Sequence, residues 1–327
     1  MIEEECMEKH NFCLENARNF LQENVVFRQI AEIKKFGKGQ LPVFYLKLQN
    51  ATQSELTVKF YRSKKQAEAA HALSASLAKN PKLCVPKLSD SAKQCFKYGG
   101  FYGLVYEYIR GREAASAGIT AKHMRQLCDK YTEFQKCRID QPLRRFVSQN
   151  GCMTKLRRLL DEIKKQNLSL KMRSAVFLAE KFAEQISREY GKLKEPERKL
   201  VHDDVTKSNL LFEGNDFRAF LDTDSVCWGY VGKDFAEFIL SNIRRYPFYK
   251  GRKKAVRTWY EIVDKTYHLS FDEYIYGLNV YYLYRLLNYF GRGRNNVSLL
   301  KLYNFWQFIK LHKTVVNELK KIKQIED

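Results

Sequence analysis

The chain is short of glycine and proline, with 16 and 6 in 327 residues. That scarcity excludes a collagen-like repeat and argues against a low-complexity disordered chain. Acidic residues are also few beside basic ones, 37 Asp+Glu against 58 Lys+Arg, for a formal net charge of +21. No uncharged apolar stretch approaches the ~18 residues of a membrane-spanning helix. The acidic start, Met1 to Glu5, lacks the basic patch and apolar run of a secretory signal, so a cytoplasmic location is expected. The eight cysteines are dispersed, with no C-x-x-C spacing. Neither a zinc site nor a small disulfide framework is therefore indicated.

What is present is ample core material, 45% hydrophobic and 14% aromatic residues. A chain of this length suggests two domains or one large two-lobed unit. The excess charge is clustered at Arg144-Arg145, Lys155 to Arg158, Arg244-Arg245, Lys250 to Lys254 and Lys320 to Lys323. Most of these read as solvated helix faces. So positive a field favours anionic partners: nucleotide phosphates, nucleic acid or an acidic lipid surface.

The period of the apolar residues changes along the chain. A helix is expected over Glu3 to Gln22, then three short strands over Val25 to Lys34, Val43 to Leu48 and Leu56 to Tyr61. Turn residues at Phe36 to Gly39 and Gln49 to Ala51 make these an antiparallel meander. An Ala-rich segment, Ser63 to Lys79, reads as a helix with Ser63 as N-cap. Extended pieces follow at Cys95 to Tyr98 and Leu104 to Ile109. Beyond Gly111 the texture is helical, over Thr120 to Arg138, Thr154 to Gln166, Leu168 to Leu193, Lys233 to Arg244, Arg252 to Tyr267, Phe271 to Tyr289 and Val297 to Ile325. One hairpin interrupts it, Asn209 to Phe212 and Arg218 to Leu221 flanking Glu213 to Asp216. The expected architecture is α+β and bilobal: residues 1–108 a small lobe with an antiparallel sheet plus helix, residues 109–327 a larger, mainly helical lobe, with a cleft for a small ligand.

The chemistry concentrates before the hairpin. His202, Asp204 and Asn209 match H-x-D-x-x-x-x-N, the catalytic-loop pattern of kinases. Phosphoryl transfer needs a carboxylate beside the acceptor hydroxyl, a role open to Asp204. It also needs a divalent metal held by oxygen ligands, which the Asn209 amide and the Asp222 carboxylate can offer. The hairpin is a simple way of bringing 209 and 222 together. His202 is grouped with Asp204 as a candidate catalytic residue, with its ring expected chiefly to brace the loop through hydrogen bonds.

On the nucleotide side, Lys59 sits among apolar residues of the third strand, an awkward place for a charge without a purpose. Glu68, on the following helix, is its expected partner in the kinase arrangement. Gly37 and Gly39 lie in a turn whose backbone N–H groups could cover phosphates. Adenine is expected against the strand ending at Ile109, bonded to backbone groups of Glu107 and Ile109.

This combination resembles the aminoglycoside phosphotransferase and choline kinase family, similar in fold to protein kinases but acting on small-molecule hydroxyls. Most of the chain from Val26 can be laid along it. The family's H-G-D-x-x-x-x-N corresponds to His202, Asp203, Asp204 through Asn209, with Asp203 replacing glycine or choline kinase's asparagine. Leu221 to Asp224 resembles the metal-binding I-D-W-D or I-D-F-E stretch, with Thr223 replacing an aromatic. Asp234 to Ala236 resembles the later D-L-A. The resemblance implies ATP and Mg²⁺ as cofactors, Asp204 as catalytic base, Asn209 and Asp222 as metal ligands, and Lys59 with Glu68 anchoring phosphates. It further implies Asp234 as a scaffold for the loop, and Asp224 as a further metal-site group or a substrate contact.

Two other classes compete. A protein kinase needs a long activation segment and an A-P-E-like ending, yet only Thr223 to Lys233 separate Asp222 from Asp234 and no A-P-E occurs. A non-catalytic module binding nucleic acid or an anionic membrane would be expected to have lost one of Lys59, Asp204, Asn209 and Asp222, and all are present. The expectation is an ATP- and Mg²⁺-dependent phosphotransferase acting on a hydroxyl of a small molecule (sugar, aminoglycoside or amino alcohol) by direct in-line transfer. Its expected partners are that substrate and, weakly, an anionic membrane surface, with no obligate nucleic acid. The aromatic stripe of the C-terminal helices, Tyr274, Tyr276, Tyr281 and Phe308 among them, reads as bundle core more readily than as a cation cage.

Overall fold

A computed structural model describes residues 18, 21, 30–36, 42–49, 54–89, 95–98, 100–114, 119–139, 152–165, 170–190, 199–243, 249–291 and 299–326. Of the helix expected over Glu3 to Gln22 only Arg18 and Leu21 are among them, both helical, and Gly37 and Gly39 lie outside them. The chain divides into two compact units. The first takes Met1–Gly111, Cys137–Phe146 and Arg218–Asp224; the second takes Arg112–Lys136, Val147–Phe217 and Ser225–Asp327.

The first unit is built on five antiparallel strands, β1 (Ile30–Phe36), β2 (Val43–Leu48), β3 (Glu55–Tyr61), β4 (Phe96–Tyr98) and β5 (Phe101–Glu107), in the order β1-β2-β3-β5-β4. The expected meander is there. Its first strand runs on past Lys34, because Lys35 and Phe36 still pair with Phe44 and Val43. Alternation sorts β3 onto two faces. Leu56, Val58 and Phe60 bury against Phe44, Leu46 and Val105. Such a buried aliphatic or aromatic side chain is worth about 1.5–3 kcal/mol. Lys59 and Tyr61 take the opposite face, where Tyr61 packs with Leu104, Tyr106 and the small residues Ala67 and Ala70 of helix α1 (Lys64–Leu77). Ser63 caps α1, its hydroxyl accepting the Gln66 N–H at 3.3 Å.

The second unit holds the other helices: α2 (Ala121–Gln135), α3 (Cys152–Lys164), α4 (Leu170–Tyr190), α5 (Val231–Ile243), α6 (Tyr249–Tyr267), α7 (Phe271–Gly291) and α8 (Leu299–Glu326). Each expected helix appears with its ends displaced by a few residues. Short strands interrupt them: β6 (Arg112–Glu113), β7 (Lys199–Val201), β8 (Leu210–Glu213) and β10 (Cys227–Gly229), while β9 (Asp216–Phe220) starts in this unit and is counted with the first from Arg218 onward. β6 pairs with β8, and β7 with β10. The β8–β9 hairpin turns at Gly214, whose φ of 58° suits a two-residue turn. Tyr276, Val280, Leu283 and Leu287 of α7 pack against Leu156, Leu160 and Ile163 of α3 and Val176 and Ile186 of α4. The aromatics Tyr274, Tyr276 and Tyr281 are buried, as bundle core requires. No helix among the described residues is long and apolar enough to cross a membrane. Cys84, Cys95 and Cys128 are free thiols.

Two features of this unit lack a periodic signature in sequence. Where α5 crosses α7, a Cβ on Gly277 would lie 2.4 Å from the Gly232 carbonyl oxygen and 2.9 Å from the Lys233 nitrogen. Only glycine lets the two backbones meet this closely. The second is His312 on α8, whose ring stacks on Tyr282 at 4.2 Å and whose Nε2 lies 3.1 Å from the Asn279 Oδ1. Burial, with help from Lys313, pushes its pKa down to about 4.

Two outcomes follow from these contacts. Gly277→Ala should destabilise the protein by about 1–3 kcal/mol, measured by urea unfolding; unchanged stability would contradict the close crossing. In the unfolded chain His312 takes up a proton below about 6.5, while in the folded protein it does so only near 4. Stability should therefore fall as pH drops through that window, by an amount on the order of 3 kcal/mol. His312→Gln should flatten the pH dependence, and an equally steep loss in the variant would exclude His312 as its source.

Candidate active site

In the second unit, the segment between β7 and β8 carries the kinase-like pattern. The chain leaves β7 at Val201 and turns back through Asp203, whose φ is 63°. This left-handed conformation is one that Gly, Asn and Asp tolerate best, which accounts for an aspartate where the resembled pattern has glycine or asparagine. The Thr206 N–H then donates to the Asp204 carbonyl at 2.8 Å, and the Asn209 N–H to the Thr206 carbonyl at 3.0 Å. The Asn209 side-chain amide nitrogen closes the loop, donating to the Asp204 carboxylate at 2.7 Å and to its carbonyl at 3.0 Å. Asp204 is thereby oriented, and the Asn209 Oδ1, an acceptor, points the other way from the amide nitrogen.

Beneath the loop lies Asp234, from the first turn of α5 and almost fully buried. A single carboxylate oxygen of Asp234 accepts the His202 N–H at 2.9 Å, the Asp203 N–H at 3.1 Å and the Tyr131 hydroxyl at 2.6 Å. Burial raises the Tyr131 pKa well above its ordinary range, so the phenol remains a donor. The His202 ring is fully buried beside Phe134, and its carbonyl accepts the Ser225 hydroxyl at 2.7 Å. His202 therefore braces the loop. That corrects its grouping with Asp204 as a catalytic side chain, since a ring wholly shielded from solvent has no access to a reacting hydroxyl.

In the first unit, Lys59 finds a different partner from the one expected. Its ammonium lies 2.5 Å from a carboxylate oxygen of Asp222 and 2.5 Å from one of Asp224. Burial works against this charge, but Asp224 and Asp222 together outweigh it and hold the Lys59 pKa above its ordinary range. Asp224 is steadied on its other oxygen by the Tyr61 hydroxyl at 3.3 Å. Asp222 sits just past β9 with φ 56°, and Thr223–Ser225 form a single 3-10 turn that brings Asp224 back beside it. Glu68, by contrast, is exposed and pairs with Lys64 on its own helix at 3.6 Å. The expected Lys59–Glu68 pair is thus replaced by Lys59 with Asp222 and Asp224. The signal for Glu68 was available in its i,i+4 spacing from Lys64.

At the end of β5, the Glu107 N–H donates to the Lys87 carbonyl and the Tyr108 N–H to the Glu55 carbonyl. The Glu107 amide is thus committed to the protein. The Ile109 N–H has no backbone partner among the described residues.

The profile of the phosphotransferase enzyme family (APH) matches residues 32–271, most of the chain. The chain belongs to this family. A spectinomycin phosphotransferase in complex with ADP and spectinomycin has a similar fold, with a TM-score of 0.68 and 11% identity, covering 94% of this chain and 99% of that one. The GDP complex of aminoglycoside 2'-phosphotransferase-IIIa matches with a TM-score of 0.62 and 14% identity over 93% of this chain and 98% of that one. A Plasmodium vivax ethanolamine kinase matches with a TM-score of 0.52 and 14% identity over 88% and 82%. Comparison with curated protein sequences gives no match. The fold of this phosphotransferase is accordingly the protein-kinase-like α+β fold, and its activity is of the small-molecule, alcohol-acceptor class.

Among the described residues of the phosphotransferase, no group of three or more His, Cys, Asp or Glu is arranged to hold a metal alone. Mg²⁺ in phosphoryl transfer takes only one or two protein oxygens and completes its shell with phosphates and water. Asn209 and Asp222 each carry a hard oxygen donor of the kind Mg²⁺ takes. The Lys59 group also carries two carboxylates against one ammonium, an excess negative charge that suits a divalent ion. Lys59→Met should destabilise the protein by about 1–3 kcal/mol by leaving both carboxylates without their cation, and adding Asp224→Asn should recover part of that loss. Additive effects in this cycle, read by chemical denaturation, would contradict a shared ion pair.

Proposed function

We propose that this phosphotransferase moves the γ-phosphoryl group of ATP, with Mg²⁺, directly onto a hydroxyl of a small polar molecule. The observation that carries the reading is the Asn209 amide nitrogen on the Asp204 carboxylate at 2.7 Å. One contact fixes the orientation of a base and leaves the amide oxygen, not the nitrogen, as the atom of Asn209 proposed to meet a metal. In the proposed roles Asp204 orients the acceptor hydroxyl and takes its proton, while Asn209 and Asp222 hold Mg²⁺. Asp224 is the further carboxylate of that site, and Lys59 binds the phosphates. When bound, Mg²⁺ neutralises the phosphate oxygens as charge develops on them.

Adenine is assigned to the end of β5, with the Ile109 N–H donating to it and the Glu107 carbonyl accepting from it. The committed Glu107 N–H is consistent with that division. Support for a nucleotide comes from the fold neighbours, solved with ADP, AMP, AMP-PNP or GDP. The acceptor is proposed to be a sugar, an aminoglycoside or an amino alcohol; an aminoglycoside and ethanolamine are named for two of those neighbours. The chain is proposed to act in the cytoplasm.

The test is a coupled ADP-release screen over sugars, amino alcohols, aminoglycosides and nucleosides, with ATP and with GTP. Asp204→Asn should fold normally and lose nearly all acceptor-dependent turnover, on the order of a thousandfold or more. Wild-type-like turnover in the variant would reject the base assignment, and turnover unaffected by EDTA would reject the metal.

A further inference from the structure

The first turn of α5 places a lysine under the proposed catalytic loop. Lys233 is 6% exposed, and its ammonium donates to the Asp203 carbonyl at 2.6 Å and to Glu237 at 2.8 Å. It also lies 3.1 Å from the Asp203 carboxylate and 3.6 Å from Asp234. A buried ammonium needs this much compensation, and a buried carboxylate at Asp203 needs the ammonium in return. Asp203 is also the residue bent to a φ of 63°, immediately before Asp204. Glycine would adopt that bend with little strain and no charge; aspartate does so only with support. The lysine is itself fixed in place, because the Gly232 and Lys233 backbone is pressed against Gly277. Burial raises the Glu237 pKa above the ordinary carboxylate range, against the opposing pull of Lys233 beside it. The Lys233 ammonium is shared among Asp203, Asp234 and Glu237.

We propose that Lys233 is a positioning residue for phosphoryl transfer: by gripping both the carbonyl and the carboxylate of Asp203, it locks the left-handed turn that aims Asp204. This inference rests on the reading of Asp204 as the base. It assigns Asp203 and Lys233 one joint role, so that neither is useful without the other. A merely structural buried pair would lower stability and leave the turnover of the folded enzyme alone. A positioning pair changes kcat, because small displacements of a reacting group are costly to rate.

The experiment compares Asp204→Asn, Lys233→Met, Asp203→Asn, Asp203→Gly and the double variant Asp203→Gly/Lys233→Met, using the whole protein and the best acceptor from the screen. Concentrations are corrected for folded protein by circular dichroism. Lys233→Met should lower kcat by about ten- to a hundredfold while KM for the nucleotide stays within about twofold. Removing Asp203 as well, in the glycine double variant, should restore much of kcat, since glycine holds the bend without an anchor. If Lys233→Met does not fold, Asp203→Asn carries the same test: it keeps the bend but loses the charge pair, and kcat should fall about tenfold. Unchanged kcat in the folded lysine variant, or in Asp203→Asn where the lysine variant does not fold, overturns the proposal, as does a double variant that is worse than Lys233→Met. Near-normal turnover in Asp204→Asn would instead overturn the base reading, so the two failures are separable.

Discussion

One carboxylate oxygen organises the second unit's polar loop. The Asp234 oxygen that accepts the His202 and Asp203 amides and the Tyr131 hydroxyl replaces three separate requirements for water with one buried acceptor. Buried N–H groups left without an acceptor are expensive, each costing about 1–3 kcal/mol. Loop, α2 and α5 therefore share a common fixed point, and the bend at Asp203 and the aim of Asp204 both depend on it. The glycine contact between α5 and α7 extends the dependence further. It fixes the depth at which the first turn of α5 sits, hence where Asp234 and Lys233 present their charges.

The first unit solves a related problem with opposite charges. A strand of apolar alternation carries one lysine, and the 3-10 turn after β9 returns two aspartates to it. An ammonium between two carboxylates leaves a residual negative charge, which agrees with the proposal that this group takes part in binding a divalent cation and a polyphosphate. Tyr61 and Tyr106 share a hydrogen bond at 3.2 Å next to this group. Burial raises both phenols, so they act as neutral donors beside the carboxylates.

Much of this was legible in the sequence, for reasons that differ by element. The β2 and β3 strands follow from short runs rich in β-branched and aromatic residues bounded by turn residues, and α1 from an alanine-rich run after a serine cap. The hairpin follows from Glu213 to Asp216 between apolar runs. His202, Asp204 and Asn209 were readable because a short polar loop must satisfy itself within a few residues, so its chemistry is local. The partner of Lys59 was not readable, because residues 59, 222 and 224 are brought together only by tertiary structure. Glu68 was the nearer carboxylate in sequence but had a closer claim from Lys64. Lys233 was hidden for a similar reason: a lysine in the first turn of an amphipathic helix reads as surface until the buried Asp203 and Glu237 are seen around it.

The central claim is that this phosphotransferase gives its phosphoryl group to an organic hydroxyl rather than to water. Phosphorus-31 NMR of the purified protein with Mg²⁺, ATP and the acceptor selected by screening reads that directly. The account predicts a new phosphate-monoester resonance growing in step with ADP. ADP accompanied only by inorganic phosphate, or no loss of the γ-phosphate signal with any acceptor, would contradict it.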